Sequence, residues 1–169
     1  MSIRAARIDD VPSLIEIERA ASEMFRALSM DFVADDDPGS LAELAPYVEG
    51  GRAFVWAGDG DAPVAYIILD VVDGAAHIEQ VSVHPGHARQ GIGRRLIEHA
   101  AAWACARDLH SLTLTTYADV PWNAPYYRRL GFRDISPEEE TPGLRLIVSR
   151  ERAAGLEVWP RTIMSRRLA

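Results

Sequence analysis

The stretch from His77 to Leu96 constrains this chain more than any other. Its residues up to Val83 read as a β-strand, Pro85 and Gly86 break that strand, and Gly91 and Gly93 open a helix. Ile92, Leu96, Ala100, Trp103 and Ala104 then fall on one apolar face of that helix, predicted to run to about Arg107. The first turn of a helix carries N–H groups without intrahelical partners and the positive end of the helix dipole. Glycines there let an anion approach the backbone closely, so the junction suits a phosphate. Gly91 and Gly93 equally suit a plain tight turn. Neither standard nucleotide fingerprint fits: Leu96 stands where G-x-G-x-x-G needs its third glycine, and the chain contains no lysine for a phosphate loop.

A second segment narrows the choice. Val81-Ser-Val-His-Pro85 followed by Ala88-Arg-Gln-Gly-Ile-Gly93 resembles the acyl-CoA loop of the GNAT acetyltransferases, usually Gln/Arg-x-x-Gly-x-Gly/Ala. Asn123-Ala-Pro-Tyr-Tyr-Arg-Arg-Leu-Gly-Phe132 resembles that family's Asn…Tyr-x-x-x-Gly-Phe segment, in the family's order and at a plausible separation. The resemblance extends over roughly the whole chain. It implies an α/β fold with a mixed, twisted sheet splayed between its fourth and fifth strands, and acetyl-CoA as acyl donor to a primary amine. The acceptor, a small molecule or peptide, would attack directly in a ternary complex. A non-catalytic acyl-CoA-sensing module of the same fold is the alternative.

Carried over residue by residue, the resemblance gives a candidate site. Val81, Ser82 and Val83 would line the pantetheine arm, with a backbone N–H among them polarising the thioester oxygen. Arg89, Gln90, Gly91, Ile92, Gly93 and Arg94 would hold the phosphates, and Arg95 could add charge. Asn123 would bond the pantetheine or cap its short helix. Tyr127, at the family's tyrosine position, would contact the cofactor and protonate the departing thiolate, while Tyr126 would point elsewhere. Ala88 departs from the usual Gln or Arg, which weakens side-chain contacts and leaves the backbone cradle.

For the base that deprotonates the amine, Glu79 is the first candidate, on the strand beside the expected thioester. His77 is the second, because imidazole titrates near neutrality. Between Ile78 and Val81 the apolar face slips by one residue, which predicts a β-bulge near Glu79 to Val81.

Composition bounds the rest. A chain of 169 residues, 48% apolar, suits a single domain over 1–169 with a core that needs no staples. Cys105 is the one cysteine, read as core within the long helix; no intrachain disulfide can form, and a reducing cytoplasm is expected. A net charge of −7 argues against general nucleic-acid binding. No segment reads as a signal peptide or membrane span. His84, His87, His99 and His110 lack metal-ligand spacing, so no metal is expected.

Periodicity predicts strands at Ile3 to Ile8, Ala53 to Ala57, Val64 to Val72, Ala76 to Val83, Ser111 to Thr116 and Val158 to Arg167. Helices are predicted over Val11 to Leu28, Ser40 to Val48, Trp122 to Leu130 and Gly143 to Ala154, with a loop from Met30 to Gly39. That loop brings Asp35, Asp36 and Asp37 near Glu43, read either as an acidic acceptor wall or as a solvated turn. The last strand is apolar enough to pair across a homodimer boundary, though Pro160 and its arginines also suit a protected edge.

Overall fold

The computed structural model describes residues 1–169. Seven strands form one mixed sheet: β1 (Ser2–Ala5), β2 (Ala53–Ala57), β3 (Pro63–Val72), β4 (Ala75–Val83), β5 (Ser111–Tyr117), β6 (Arg133–Asp134) and β7 (Arg161–Arg167), ordered β1-β2-β3-β4-β5-β7-β6. Six helices accompany them: α1 (Val11–Ser22), α2 (Asp31–Ala34), α3 (Leu41–Glu49), α4 (Ile92–Cys105), α5 (Ala124–Arg129) and α6 (Pro142–Ala153). No helix is long and apolar enough to cross a membrane. The chain divides into two compact units, Met1–Leu69 with Gln80–His99, and Asp70–Glu79 with Ala100–Ala169.

In the first unit, β1 and β3 flank β2 antiparallel, with Ser2 opposite Ala57 and Ala53 opposite Ile68. Val11, Leu14 and Ile17 of α1 and Leu44 of α3 pack on Val55, Tyr66 and Ile68. That is the apolar stripe of α1 meeting the inner face of the sheet. Asp10 precedes α1 without capping it. Its carboxylate instead takes Arg4 Nη1 at 2.7 Å and the Arg7 amide at 2.7 Å, tying strand to helix. The predicted long first helix stops at Ser22, continues as a 3₁₀ turn from Glu23 to Leu28, and ends at left-handed Ser29. Within the predicted Met30–Gly39 loop, Asp31–Ala34 makes one helical turn.

In the second unit, β4 and β5 run parallel, Ala76 beside Leu112 and His77 beside Thr113. The paired residues end there although β5 continues to Tyr117, at the place the resemblance assigns to the splay. β7 lies antiparallel to β5 from Ser111/Arg167 to Tyr117/Arg161. Its other side is met by β6, which is too short to show in the sequence pattern: Arg133 pairs with Ser165 and Asp134 with Met164. β7 starts at Arg161 because Leu156–Val158 coil into a 3₁₀ turn. The start of α6 is pinned to the β3–β4 turn by the Gly143 amide, which donates to Asp73 Oδ2 at 2.7 Å. A Cβ at Gly143 would sit 2.6 Å from that oxygen, so the contact needs a glycine.

The two ends of the β3–β4 hairpin differ in register by one residue. Asp73 and Gly74 have φ of 50° and 80°, the conformation of a two-residue hairpin turn that places Val72 opposite Ala75. At the far end the His84 amide donates to the Val64 carbonyl at 2.9 Å. From Ala75 to His84 is one residue more than from Val64 to Val72, so β4 holds the extra residue.

Candidate functional site

The glycine turn belongs to the first unit. After β4, His84 folds back so that its Nδ1 accepts the Gly86 amide at 3.0 Å, and Pro85–His87 make a 3₁₀ turn. Arg89 and Gly91 then adopt left-handed backbone, φ 62° and 73°, before α4 begins at Ile92. Such a conformation suits glycine and strains arginine. No atom lies within 4 Å of a Cβ built on Gly91, so its face is open. Gly93 has no positive φ; it lies within the first turn of α4. Arg89, Gln90 and Arg94 are exposed around the turn, and Ile92 anchors it in the core at 3% exposure. Arg95 is engaged elsewhere, its guanidinium 5.3 Å from the Trp56 ring centre.

Upstream on β4, Val81 and Val83 are half-buried and Ser82 is buried, its hydroxyl accepting Gln80 Nε2 at 2.7 Å. Tyr66, fully buried, donates its hydroxyl to Glu18 Oε2 at 3.0 Å, and burial pushes the Glu18 carboxyl above its usual range. Glu18 was legible in principle: with Val11, Leu14 and Ile15 it completes the stripe of α1, so a carboxylate there faces inward.

The second unit holds the remaining candidates. Tyr127 is buried on α5, its ring 5.5 Å from that of Tyr126 and 5.8 Å from that of Phe132. Burial, reinforced by Tyr126, pushes its phenol well above the ordinary value, so it stays protonated at neutral pH. The Tyr127 amide bonds the Asn123 carbonyl at 3.0 Å. Asn123 occupies the N-cap position of α5, yet its side chain makes no capping bond, and its Oδ1 is buried without a hydrogen-bond partner. A buried polar atom in that state is costly unless something else bonds it.

Glu79 is exposed on β4. His77, the second candidate base, is enclosed. It is 1% exposed, its Nδ1 lies 2.8 Å from Thr113 Oγ1 across the parallel pair, and burial lowers its pKa to about 4. An imidazole with that pKa is neutral at pH 7 and accepts a proton only weakly. Cys105 is exposed rather than core, because it lies at the last turn of α4 and off its buried face.

This unit also holds a cavity of about 430 Å³, lined by β5, β7, α6 and the turn before α6, with Thr115, Glu140, Glu151, Trp159 and Arg161 in its wall. The Thr115 hydroxyl bonds Glu151, Arg161 Nη2 reaches Thr115 Oγ1 at 3.2 Å, and the guanidinium stacks 4.5 Å from the centre of the Tyr117 ring. These residues are scattered from 115 to 161, so no local spacing announces them.

Comparison with known proteins agrees with both motifs. The profile of the Acetyltransferase (GNAT) family matches residues 21–132. The streptothricin acetyltransferase of Streptomyces lavendulae is 39% identical over 107 residues, 59% of this chain and 55% of that protein, so the match spans just over half of that relative's length. The peptidyl-lysine N-acetyltransferase YjaB of Salmonella typhimurium is 25% identical over 134 residues, 79% of this chain and 83% of that one. Among solved structures, the PaiA N-acetyltransferase of Thermoplasma acidophilum in complex with coenzyme A has the same fold, with a TM-score of 0.72 at 15% identity over 98% of each chain. The matched residues include the turn at Gly91 and the segment from Asn123 to Phe132, and the chain belongs to the GNAT acetyltransferase family.

Proposed function

We propose that this protein transfers an acetyl group from acetyl-CoA to the primary amine of an acceptor, by direct attack in a ternary complex. The observation that carries the reading is the pair on α5. Tyr127 keeps its proton in a buried site, and beside it Asn123 Oδ1 has no partner within the protein. A pantetheine amide N–H is the kind of donor that would satisfy that oxygen. The open left-handed turn at Gly91 and the exposed Arg89 and Arg94 suit the phosphates of the same molecule. The two relatives, themselves named acetyltransferases, support the reaction class.

Each residue then has a physical task. An alkylammonium with a pKa of about 10.4 must lose a proton before attack, which costs roughly 5 kcal/mol at pH 7. Glu79, exposed on β4, accepts it directly or through water. Backbone from Val81 to Val83 lines the arm, and an amide there stabilises the thioester oxygen as charge builds. Tyr127 protonates the leaving thiolate, and the second proton of the attacking nitrogen passes to solvent as the C–S bond breaks. Gln90, Ile92 and Gly93 complete the turn that receives the phosphates.

The two compact units serve as one domain over residues 1–169, acting as a homodimer in a reducing cytoplasm; the exposed side chains of Leu146 and Val158 and the single cysteine support those two points. The test is calorimetric titration with acetyl-CoA followed by thiol release against a panel of amines. Micromolar binding with amine-dependent release is expected. Binding without release from any amine would favour an acyl-CoA sensor, and absence of binding would overturn the reading.

A further inference from the structure

A row of hydrogen bonds crosses the first unit from β4 to α1. Gln80 Nε2 donates to Ser82 Oγ at 2.7 Å, the Ser82 hydroxyl bonds the Tyr66 oxygen, and Tyr66 donates to Glu18 Oε2 at 3.0 Å. Ser82 is 6% exposed and Tyr66 0%, so both hydroxyls depend on these bonds. Burial pushes the Tyr66 phenol well above its ordinary value, which keeps it a donor at neutral pH. From the loop before α3, the Gly39 amide donates to the Glu18 carboxyl.

That carboxyl sits where a charge is costly. Burial raises it above the usual range, and the charged groups acting on it from the packed elements, Asp36 on the loop before α3 and Glu43 on α3, are acidic and raise it further. A carboxyl raised in this way lowers folding stability once the pH passes its folded pKa. A neutral side chain of similar size, such as glutamine, would accept the Tyr66 hydroxyl without that cost. Stability alone therefore does not account for a glutamate here.

The other end of the row is β4. Gln80 and Ser82 bond one another and share a face, so Val81 between them points the other way. Tying both to Tyr66 fixes the backbone between them, part of the stretch from Val81 to Val83 that lines the pantetheine arm in the acetyltransfer reading. An ionised carboxyl at the head of the row makes the Tyr66 bond charge-assisted and polarises the bonds behind it.

We infer that Glu18 is a positioning residue for acetyl transfer, its carboxylate acting through Tyr66 and Ser82 to hold the β4 backbone at Val81 in the geometry that stabilises the thioester oxygen. The inference rests on the acetyltransfer reading and gives a part in it to a residue of α1 that acts only through β3 and β4.

The experiment compares the wild type with Glu18→Gln, Tyr66→Phe and a control, Glu16→Gln, which alters an exposed carboxylate of the same helix. At about pH 8, kcat for amine-dependent thiol release should fall about 10-fold in Glu18→Gln and in Tyr66→Phe and stay unchanged in Glu16→Gln. The Tm of Glu18→Gln should hold or rise, because a costly charge is gone. The ratio of wild-type to Glu18→Gln kcat should approach one as the pH is lowered towards 4.5, the ordinary value for glutamate, where the raised Glu18 carboxyl is protonated and as neutral as the amide. An unchanged kcat in both variants, a Tm that falls together with kcat in Glu18→Gln, or a ratio independent of pH would overturn the inference. Should the wild type release thiol with no amine, the acetyltransfer reading fails. Hydrogen exchange at the amides of Val81 to Val83 then decides whether the row holds β4: about 10-fold faster exchange in Tyr66→Phe would support it, and unchanged exchange would overturn it.

Discussion

At Gly91 the chain is exposed and left-handed, with nothing within 4 Å of the place a Cβ would take. At Tyr127 it is buried, between the rings of Tyr126 and Phe132, on a regular helix. The first region offers backbone amides and a surface open to a large anion. The second offers side-chain atoms, a protonated phenol and an amide oxygen with no partner. Affinity for the phosphates should therefore depend on main-chain shape at the turn, and the chemical step on side-chain identity at α5.

The strongest challenge to that division is Gly91→Val. A β-branched residue at φ 73° is strained by about 1–2 kcal/mol and fills the space in front of the turn. Calorimetry should show the Kd for CoA raised about 1000-fold, roughly 4 kcal/mol. An unchanged Kd would mean that the turn holds no phosphate.

A pH titration of stability sharpens the contrast from the buried side. His77 has a pKa of about 4 in the folded protein, below the ordinary value of 6.5. The unfolded chain therefore binds more protons between those values, and stability is lost as pH falls from 6.5 towards 4, by about 3 kcal/mol in all. His77→Gln should flatten that part of the Tm–pH profile, and an unchanged profile would assign the acid sensitivity elsewhere.

Arg89→Gly gives the smallest effect and separates folding from binding at one residue. Relieving φ 62° should stabilise the protein by about 1 kcal/mol while removing a charge from the turn. Chemical denaturation should show the gain and calorimetry a severalfold weaker Kd for CoA. A loss of stability would mean that the side chain is structural.

Much of this was legible because its signals are local. The strand–turn–helix at Val83 to Ile92 announces itself through Pro85, Gly86 and Gly91, and Ser40 and Gly155 mark a helix start and stop where the structure has them. What stayed hidden depends on distant partners. Burial of His77 against Thr113 requires a parallel pairing that no turn encodes. β6 is only Arg133–Asp134, shorter than any periodicity. Asn123 had two readings, a bond to the pantetheine or a helix cap, and only the folded side chain, which makes no capping bond to α5, bears on the second. The cavity gathers Thr115, Glu151 and Arg161 from a strand, a helix and another strand, a grouping that only the fold creates.

The most direct test of the division between turn and helix is Tyr127→Phe, measured for both kcat and CoA affinity. The change keeps the ring packed between Tyr126 and Phe132 and removes only the hydroxyl. The account predicts kcat lower by about 100-fold or more with the Kd for CoA within about twofold. A Kd that rises as far as kcat falls would contradict it, making Tyr127 part of the binding surface rather than the proton donor.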